Sequence, residues 1–192
     1  MNAGAVELVF ETHSWTEDNE RGVATGWHQG RLSTRGRELA LELGRRRRDD
    51  GIAAVFTSDL HRAIETATIA FEGSGIPILH DWRLRECDYG DSNGMPAEVL
   101  HVDRSRHLDT PYPNGESWRS AVERVGRFVL DVPLRWTGHR VVVIEHVTTR
   151  FGFEHVLNGH PIEQLLAADF EWQEGWEYLV EASGPGSAKL HR

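Results

Sequence analysis

Ile52-Ala53-Ala54-Val55-Phe56-Thr57-Ser58-Asp59-Leu60-His61-Arg62-Ala63-Ile64-Glu65-Thr66-Ala67 is the stretch from which the rest of the chain is read. Its first five residues are apolar and follow Gly51, the pattern of a strand buried on both faces. Thr57-Ser58-Asp59 then offers short polar side chains that can cap a helix. Ala63, Ala67 and Ala70 share one face of the helix expected over 60–71. Arg62, four residues after Ser58, falls in the first turn of that helix, where it can point at an anion held near the helix N-terminus.

Outward from this unit, strands and helices alternate. Residues 5–11 (AVELVFE) read as a short apolar strand, followed by a Gly-rich irregular stretch over 19–30. Ser33 caps a helix that runs to about Arg48. On the other side, 77–79 is a short strand and the chain is irregular through Gly94. A helix is expected over 96–106. A stronger one, with Val122, Val125 and Val129 on one face, spans 116–130 and is introduced by Asn114-Gly115. Residues 140–144 (RVVVI) form the clearest strand, 148–157 the next helix, and Pro161 opens another. Two last strands, 168–172 and 176–181, meet at Gln173-Glu174-Gly175 as a hairpin. This order predicts an α/β fold, a three-layer α/β/α sandwich on a mainly parallel sheet with an antiparallel edge. Ligands bind such sheets beyond the carboxyl ends of the strands. His13 follows the first strand, Ser58 to Arg62 the second and His146 the fourth, so three separate segments converge on one crevice.

Composition narrows the function classes. The 192 residues fit a single domain over 1–182, with 183–192 (beginning Ser183-Gly184-Pro185-Gly186-Ser187) as a flexible tail. Hydrophobic residues at 39% and charged residues at 27% suit a folded globular chain. No apolar run approaches 18 residues and no basic, then apolar, leader opens the chain, so neither a membrane partner nor secretion is expected and a cytoplasmic location is the default. Cys87 is the only cysteine, which excludes an intrachain disulfide and a cysteine-based zinc site. A net charge of −9 argues against nucleic acid or an acidic membrane as partner. The run Arg45 to Arg48 reads as a solvated helix C-terminus rather than a basic patch, and the seven scattered tryptophans as core and pocket lining. A homodimer remains open.

Two histidines at strand ends beside an arginine and a glutamate suit phosphoryl transfer. A neutral imidazole attacks phosphorus, a guanidinium neutralises the equatorial oxygens, and a carboxylic acid protonates the leaving oxygen. His155 with His160, and His101 with His107, lack i, i+4 spacing and a third ligand, so no metal site is expected. Cys87 reads as a buried spectator thiol. Glu11 and Glu145 adjoin the two histidines; for Glu145 a pKa-tuning role and an incidental charge at a strand end stay equally open.

The motifs and their order resemble the histidine phosphatase (phosphoglycerate mutase-like) superfamily, from Leu8 to about Leu157. The family's first strand ends in Arg-His-Gly; the matching stretch is Thr12-His13-Ser14, with Thr16 and Asn19 at the family offsets. Gly26-Trp27 and Leu32-Ser33-x-x-Gly36 resemble its loop and helix start, and 57–67 is a near-complete match to its second signature. Leu84-Arg85-Glu86 with Gly90, then Gly115-Glu116-Ser117, and 141–146 complete the order. The resemblance implies that His13 is phosphorylated, that Arg62 and His146 hold the phosphoryl group, and that Glu86 serves as general acid and then as base for water. It implies further that Asn19 bonds a phosphate oxygen, that Thr12, Ser14, Thr16 and Val147 surround the phosphate, and that no metal or organic cofactor takes part. The short stretch between Glu86 and Gly115 resembles phosphatase rather than mutase members.

Thr12 stands where the family has arginine, and Ser14 and Val147 where it has glycine, which removes a cation and alters backbone freedom beside the oxyanions. Arg150, four residues after His146, is expected on the same helix face, either replacing that cation in part or merely capping at the surface. The expected function is hydrolysis of a small phosphorylated metabolite. The alternatives are an enzyme with a repurposed histidine pair and a catalytically inactive binding module. Substrate choice would lie in segments 20–31 and 88–113.

Overall fold

The computed structural model describes residues 4–181, so the expected tail over 183–192 lies outside the described residues. In chain order the elements are β1 (Ala5–Thr12), α1 (Glu17–Glu20), α2 (Thr34–Arg47), β2 (Ile52–Thr57), α3 (His61–Phe71), β3 (Ile78–His80) and α4 (Ala97–Asp103). There follow α5 (Trp118–Asp131), α6 (Pro133–Trp136), β4 (Arg140–Glu145), α7 (Val147–Asn158), α8 (Ile162–Ala167) and β5 (Trp176–Glu181). The five strands form one sheet in the order β3-β2-β4-β1-β5. The first four are mutually parallel, and β5 runs antiparallel to β1 at the edge. The chain is thus the expected α/β sandwich with a mostly parallel sheet.

Alternation along the central strands builds the two cores. Val6, Leu8 and Phe10 of β1 and Val141 and Val143 of β4 point to the α5 and α7 face, where Phe10 meets Phe153 edge-on at 5.9 Å. Val9, Val142 and Ile144 point to the other face, against Leu43 of α2 and Ala67, Ala70 and Phe71 of α3. Small residues let the helices approach closely. A Cβ at Gly44 of α2 would lie 2.2 Å from the Ala70 carbonyl oxygen, and one at Gly152 of α7 would lie 2.4 Å from a Val125 methyl.

Several expectations need correction. The 168–172 strand does not form, so β5 has no hairpin partner. Side chains take up that segment instead: Arg104 donates to the Ala168 carbonyl at 2.9 Å, Arg47 to the Glu174 carbonyl at 3.2 Å, and the Trp172 indole to Thr12 Oγ1 at 3.2 Å. The arginine run is a helix end solvated only in part, with Arg45 and Arg48 exposed. Arg47 and Arg46 reach the buried Glu11 carboxylate at 2.7 and 3.3 Å, and Arg48 donates to the Ala70 carbonyl at 2.5 Å, so the run ties α2 to β1 and α3. Helix α5 is capped by Ser117 rather than by Asn114-Gly115. Trp118 and Trp176 are core residues, but Trp82 and Trp172 are more than half exposed.

Candidate active site

β1 ends one residue before His13, whose N–H continues the ladder by donating to the Glu145 carbonyl at 2.8 Å. The imidazole Nδ1 lies 2.8 Å from the Ser14 carbonyl. A carbonyl only accepts, so Nδ1 carries the hydrogen and Nε2 keeps a lone pair. Burial, helped by the Arg62 charge, lowers the His13 pKa to about 3, which leaves a neutral nucleophile at ordinary pH. Ser14 is fixed in turn by its N–H to Thr66 Oγ1 at 3.0 Å, and Thr66 by its hydroxyl to the Arg62 carbonyl at 2.7 Å.

Helix α3 begins later than the motif suggested. Its N-cap position is Leu60, which has no capping side chain. The three polar residues before it are engaged otherwise: Thr57 Oγ1 pairs with His80 Nδ1 at 2.7 Å, Ser58 Oγ lies 3.2 Å from His146 Nε2 and accepts only the Leu60 N–H at 3.4 Å, and Asp59 accepts from Arg85 at 2.6 Å; the Ser58 N–H donates to the Glu145 carboxyl. Gln29 caps the helix from outside, its side-chain oxygen taking the His61 N–H at 3.0 Å and its carbonyl the Arg62 N–H at 3.3 Å. The buried Arg62 guanidinium is aimed by two carbonyls of the same loop, His28 at 2.8 Å and Gly26 at 2.9 Å. Burial lowers its pKa, and the charges of Glu86 and Glu145 draw it back up.

His146 directly follows β4 and stands, with extended backbone, at the N-cap position of α7. Its ring is buried 5.0 Å from that of His13, centroid to centroid, and its Nδ1 lies 3.4 Å from Arg62 Nη2. On its far side Nε2 lies 2.9 Å from Glu145 Oε2 and 3.2 Å from Ser58 Oγ. Burial pushes the imidazole well below its ordinary range. Glu86 lies on the segment after the turn at Trp82–Leu84. Its Oε1 accepts from the Cys87 N–H at 2.9 Å and from the Thr148 hydroxyl, and its carbonyl from the Trp27 indole at 2.7 Å. Cys87 is wholly buried and burial pushes its thiol up, as a spectator requires.

His13, Arg62 and His146 are therefore brought together, with Glu86 close enough to act on Arg62 through its charge. The other expected positions have different duties in this structure. Thr16 and Asn19 form a reciprocal capping box at α1: Thr16 Oγ1 accepts the Asn19 N–H at 3.0 Å, and Asn19 Oδ1 accepts the Thr16 N–H at 3.0 Å and hydroxyl at 2.8 Å. Val147 opens α7 and packs against the cluster around Trp118 and Phe151. Among the described residues only Asn114 has positive φ without being glycine, so Ser14 and Val147 replace glycine without backbone strain. The shared-face argument for Arg150 does not apply, because His146 is a cap with non-helical backbone. The Arg150 guanidinium stacks over Trp176 at 4.8 Å and Phe170 at 5.8 Å.

Sequence reasoning passed over Thr148, Thr66 and Gln29, which hold Glu86, Ser14 and α3 in place. Thr148 could have been flagged as a hydroxyl two residues past a strand-end histidine; Gln29 carried no signal, because its role depends on where its loop docks. Chemically, the crevice presents a neutral imidazole with a free lone pair, a buried guanidinium, a second imidazole and a carboxyl held by two donors.

Comparison with known proteins identifies the family and the fold. The model of the histidine phosphatase superfamily (branch 1) matches residues 8–173. The chain is 34% identical over 175 residues to a 2,3-bisphosphoglycerate-dependent phosphoglycerate mutase of Chelativorans sp. (strain BNC1), covering 83% of this chain and 84% of that protein. Among solved structures it is similar to Bacillus stearothermophilus YhfR, with TM-score 0.79, 28% identity and 88% of each chain covered. It is also similar to a mycobacterial glucosyl-3-phosphoglycerate phosphatase in complex with VO3, with TM-score 0.72, 26% identity, and 85% of this chain and 87% of that one covered. On these grounds the chain belongs to the histidine phosphatase superfamily.

Proposed function

We propose that this protein is a phosphatase that hydrolyses a small phosphorylated metabolite through a phosphohistidine at His13. The observation that carries the reading is the His13 tautomer: Nδ1–H is committed to the Ser14 carbonyl at 2.8 Å, which leaves the Nε2 lone pair to attack. In the first step the Nε2–P bond forms, the P–O bond to the leaving group breaks, and Glu86 gives its proton to the departing oxygen. In the second, Glu86 takes a proton from water, the water oxygen attacks phosphorus and the N–P bond breaks, returning neutral His13 and inorganic phosphate. Arg62 and His146 hold the equatorial oxygens throughout. The imidazole is itself the nucleophile, so the steps call for no metal ion.

Relatives named as mutases and neighbours named as phosphatases both use this superfamily's fold. The short segment between Glu86 and Gly115 favours hydrolysis, because it leaves less cover to keep water from a phosphohistidine. Thr12, in place of a family arginine, favours a second reading, a histidine pair turned to another reaction. Turnover of a generic aryl phosphate with neutral-pH quenching should show an addition of about 80 Da, one phosphoryl group, on the His13 peptide. No phosphorylated peptide, or full activity in His13→Ala, would overturn the phosphatase reading.

A further inference from the structure

Of the Gly115-Glu116-Ser117 motif, Ser117 caps α5, while Glu116 has no part in the reaction drawn above. Glu116 is paired with the buried Arg124 in the second turn of the same helix. Arg124 Nη2 donates to Glu116 Oε1, and its Nε to Oε2 at 3.3 Å. The rest of the guanidinium is turned to the chain that carries Glu86. Nη1 donates to the Arg83 carbonyl at 2.8 Å and the Arg85 carbonyl at 3.0 Å, and Nη2 to the Glu86 carbonyl at 3.2 Å. Glu116 Oε1 also accepts the Asp88 N–H at 3.0 Å, and the Glu116 N–H donates to the Asp88 carbonyl at 3.0 Å.

Residues 86–89 belong to no helix or strand, so no ladder fixes where Glu86 stands. Side chains from other elements hold its segment instead. The Leu84 carbonyl accepts the Thr149 hydroxyl at 2.8 Å, and the Glu86 carbonyl accepts the Trp27 indole at 2.7 Å as well as Arg124. Arg124 alone reaches the carbonyls of Arg83, Arg85 and Glu86.

Resting on the phosphoryl-transfer reading, in which Glu86 is the acid, we infer that Arg124, gripped by Glu116, is a positioning residue that sets the place of the Glu86 carboxyl in the crevice. Burying a guanidinium with a carboxylate often gains no stability over apolar residues of like size, so the pair calls for another reason. A guanidinium presents its donors as a rigid fork. Glu116 takes the Nε and Nη2 edge, which turns the remaining donors to the carbonyls. The Thr148 hydroxyl and the Cys87 N–H orient the carboxyl itself, and Arg124 fixes the backbone from which it hangs. Proton transfer needs the acid within hydrogen-bond reach of the leaving oxygen, and a displacement of about 1 Å costs roughly 10²-fold.

Leaving-group dependence tests this, read as kcat/KM on phenyl phosphate and on pentafluorophenyl phosphate. That ratio reports the steps up to departure of the leaving group. Arg124→Lys keeps the charge but replaces the fork by a point donor. It should lower kcat/KM on phenyl phosphate roughly 10–100-fold. On pentafluorophenyl phosphate, whose leaving oxygen is weakly basic, kcat/KM should stay nearly unchanged. Combined with Glu86→Gln it should add little further loss, because it acts through the group already removed. Unchanged turnover of phenyl phosphate, equal losses on both substrates, or a loss that adds in full to that of Glu86→Gln overturns this inference alone. Should Arg124→Lys fail to fold, Glu116→Gln decides by the same comparison, with an expected loss of roughly tenfold on phenyl phosphate. Equal losses on both substrates in Glu86→Gln itself overturn the reading of Glu86 as the acid, and the inference with it.

Discussion

At the scale of single residues, the site is defined by which protonation states burial enforces. His13 is held near pKa 3 against an ordinary value of 6.5. Between those values the unfolded chain binds a proton at this position that the native state refuses, so His13 costs stability as pH falls below 6.5, up to about 1.4 kcal/mol per pH unit. Glu145, raised by burial, acts in the opposite sense, losing stability as pH rises, so only a variant isolates the His13 share. Urea titrations at pH 7, 6 and 5 should show a shallower loss of stability in His13→Gln than in the wild type; identical slopes would mean that His13 is protonated in the native state. Glu86 makes a second prediction. The Thr148 hydroxyl and the Cys87 N–H orient its carboxyl, and general acid catalysis contributes roughly 10²–10⁴-fold. Glu86→Gln should lose about that much kcat on alkyl phosphates and far less on phosphates of acidic phenols. Equal losses on both would remove Glu86 from the role of acid.

At the scale of elements, several groups of the candidate site are anchored by neighbours distant in sequence. The 26–29 loop caps α3 and aims Arg62, and α3 in turn anchors Ser14 through Thr66. The seating of α3 on α2 therefore bears on the site, and at Gly44 the two helices approach closely. In an open helix interior, alanine for glycine gains about 1 kcal/mol. Here the new Cβ would fall 2.2 Å from the Ala70 carbonyl oxygen, which is backbone and cannot rotate away. Gly44→Ala should instead destabilise by about 1–3 kcal/mol, read as a lowered urea midpoint at unchanged slope. A stabilised variant would show that α2 shifts freely over α3.

At the scale of the whole molecule, the chain carries a net charge of −9, and its crevice is proposed to take an anion. Arg62 is buried and paired within the fold, so it acts at contact range and does little to attract substrate from a distance. Long-range repulsion should then dominate encounter. Raising ionic strength from about 0.01 to 0.15 M shortens the Debye length from about 30 to 8 Å. It should raise kcat/KM for a dianionic substrate roughly two- to five-fold, with an inert salt as the variable. A fall with salt would place an attractive field at the mouth.

Local patterns in the sequence determined the alternation of strands and helices, the parallel sheet, the positions of His13 and His146 just past strand ends and that of Arg62 in the first turn of α3. Apolar runs such as 140–144 and the Ser33 cap are decided by neighbours within a few residues, and those neighbours are printed in the chain. The tertiary structure alone decided the rest. Residues 168–172 looked like a strand but stay irregular, where Arg104 binds the Ala168 carbonyl and Trp172 turns its indole to Thr12. The Thr57-Ser58-Asp59 cap gave way to Gln29, because His80, His146 and Arg85 engage those three side chains. Arg150 went to the Trp176 ring because His146 is a cap and not a helical residue. Glu145 reached Ser58 because β4 pairs beside β2, and its Oε2 lies 2.9 Å from His146 Nε2. Each of these outcomes is a competition among partners far apart in sequence, and such competitions are settled only when the layers pack.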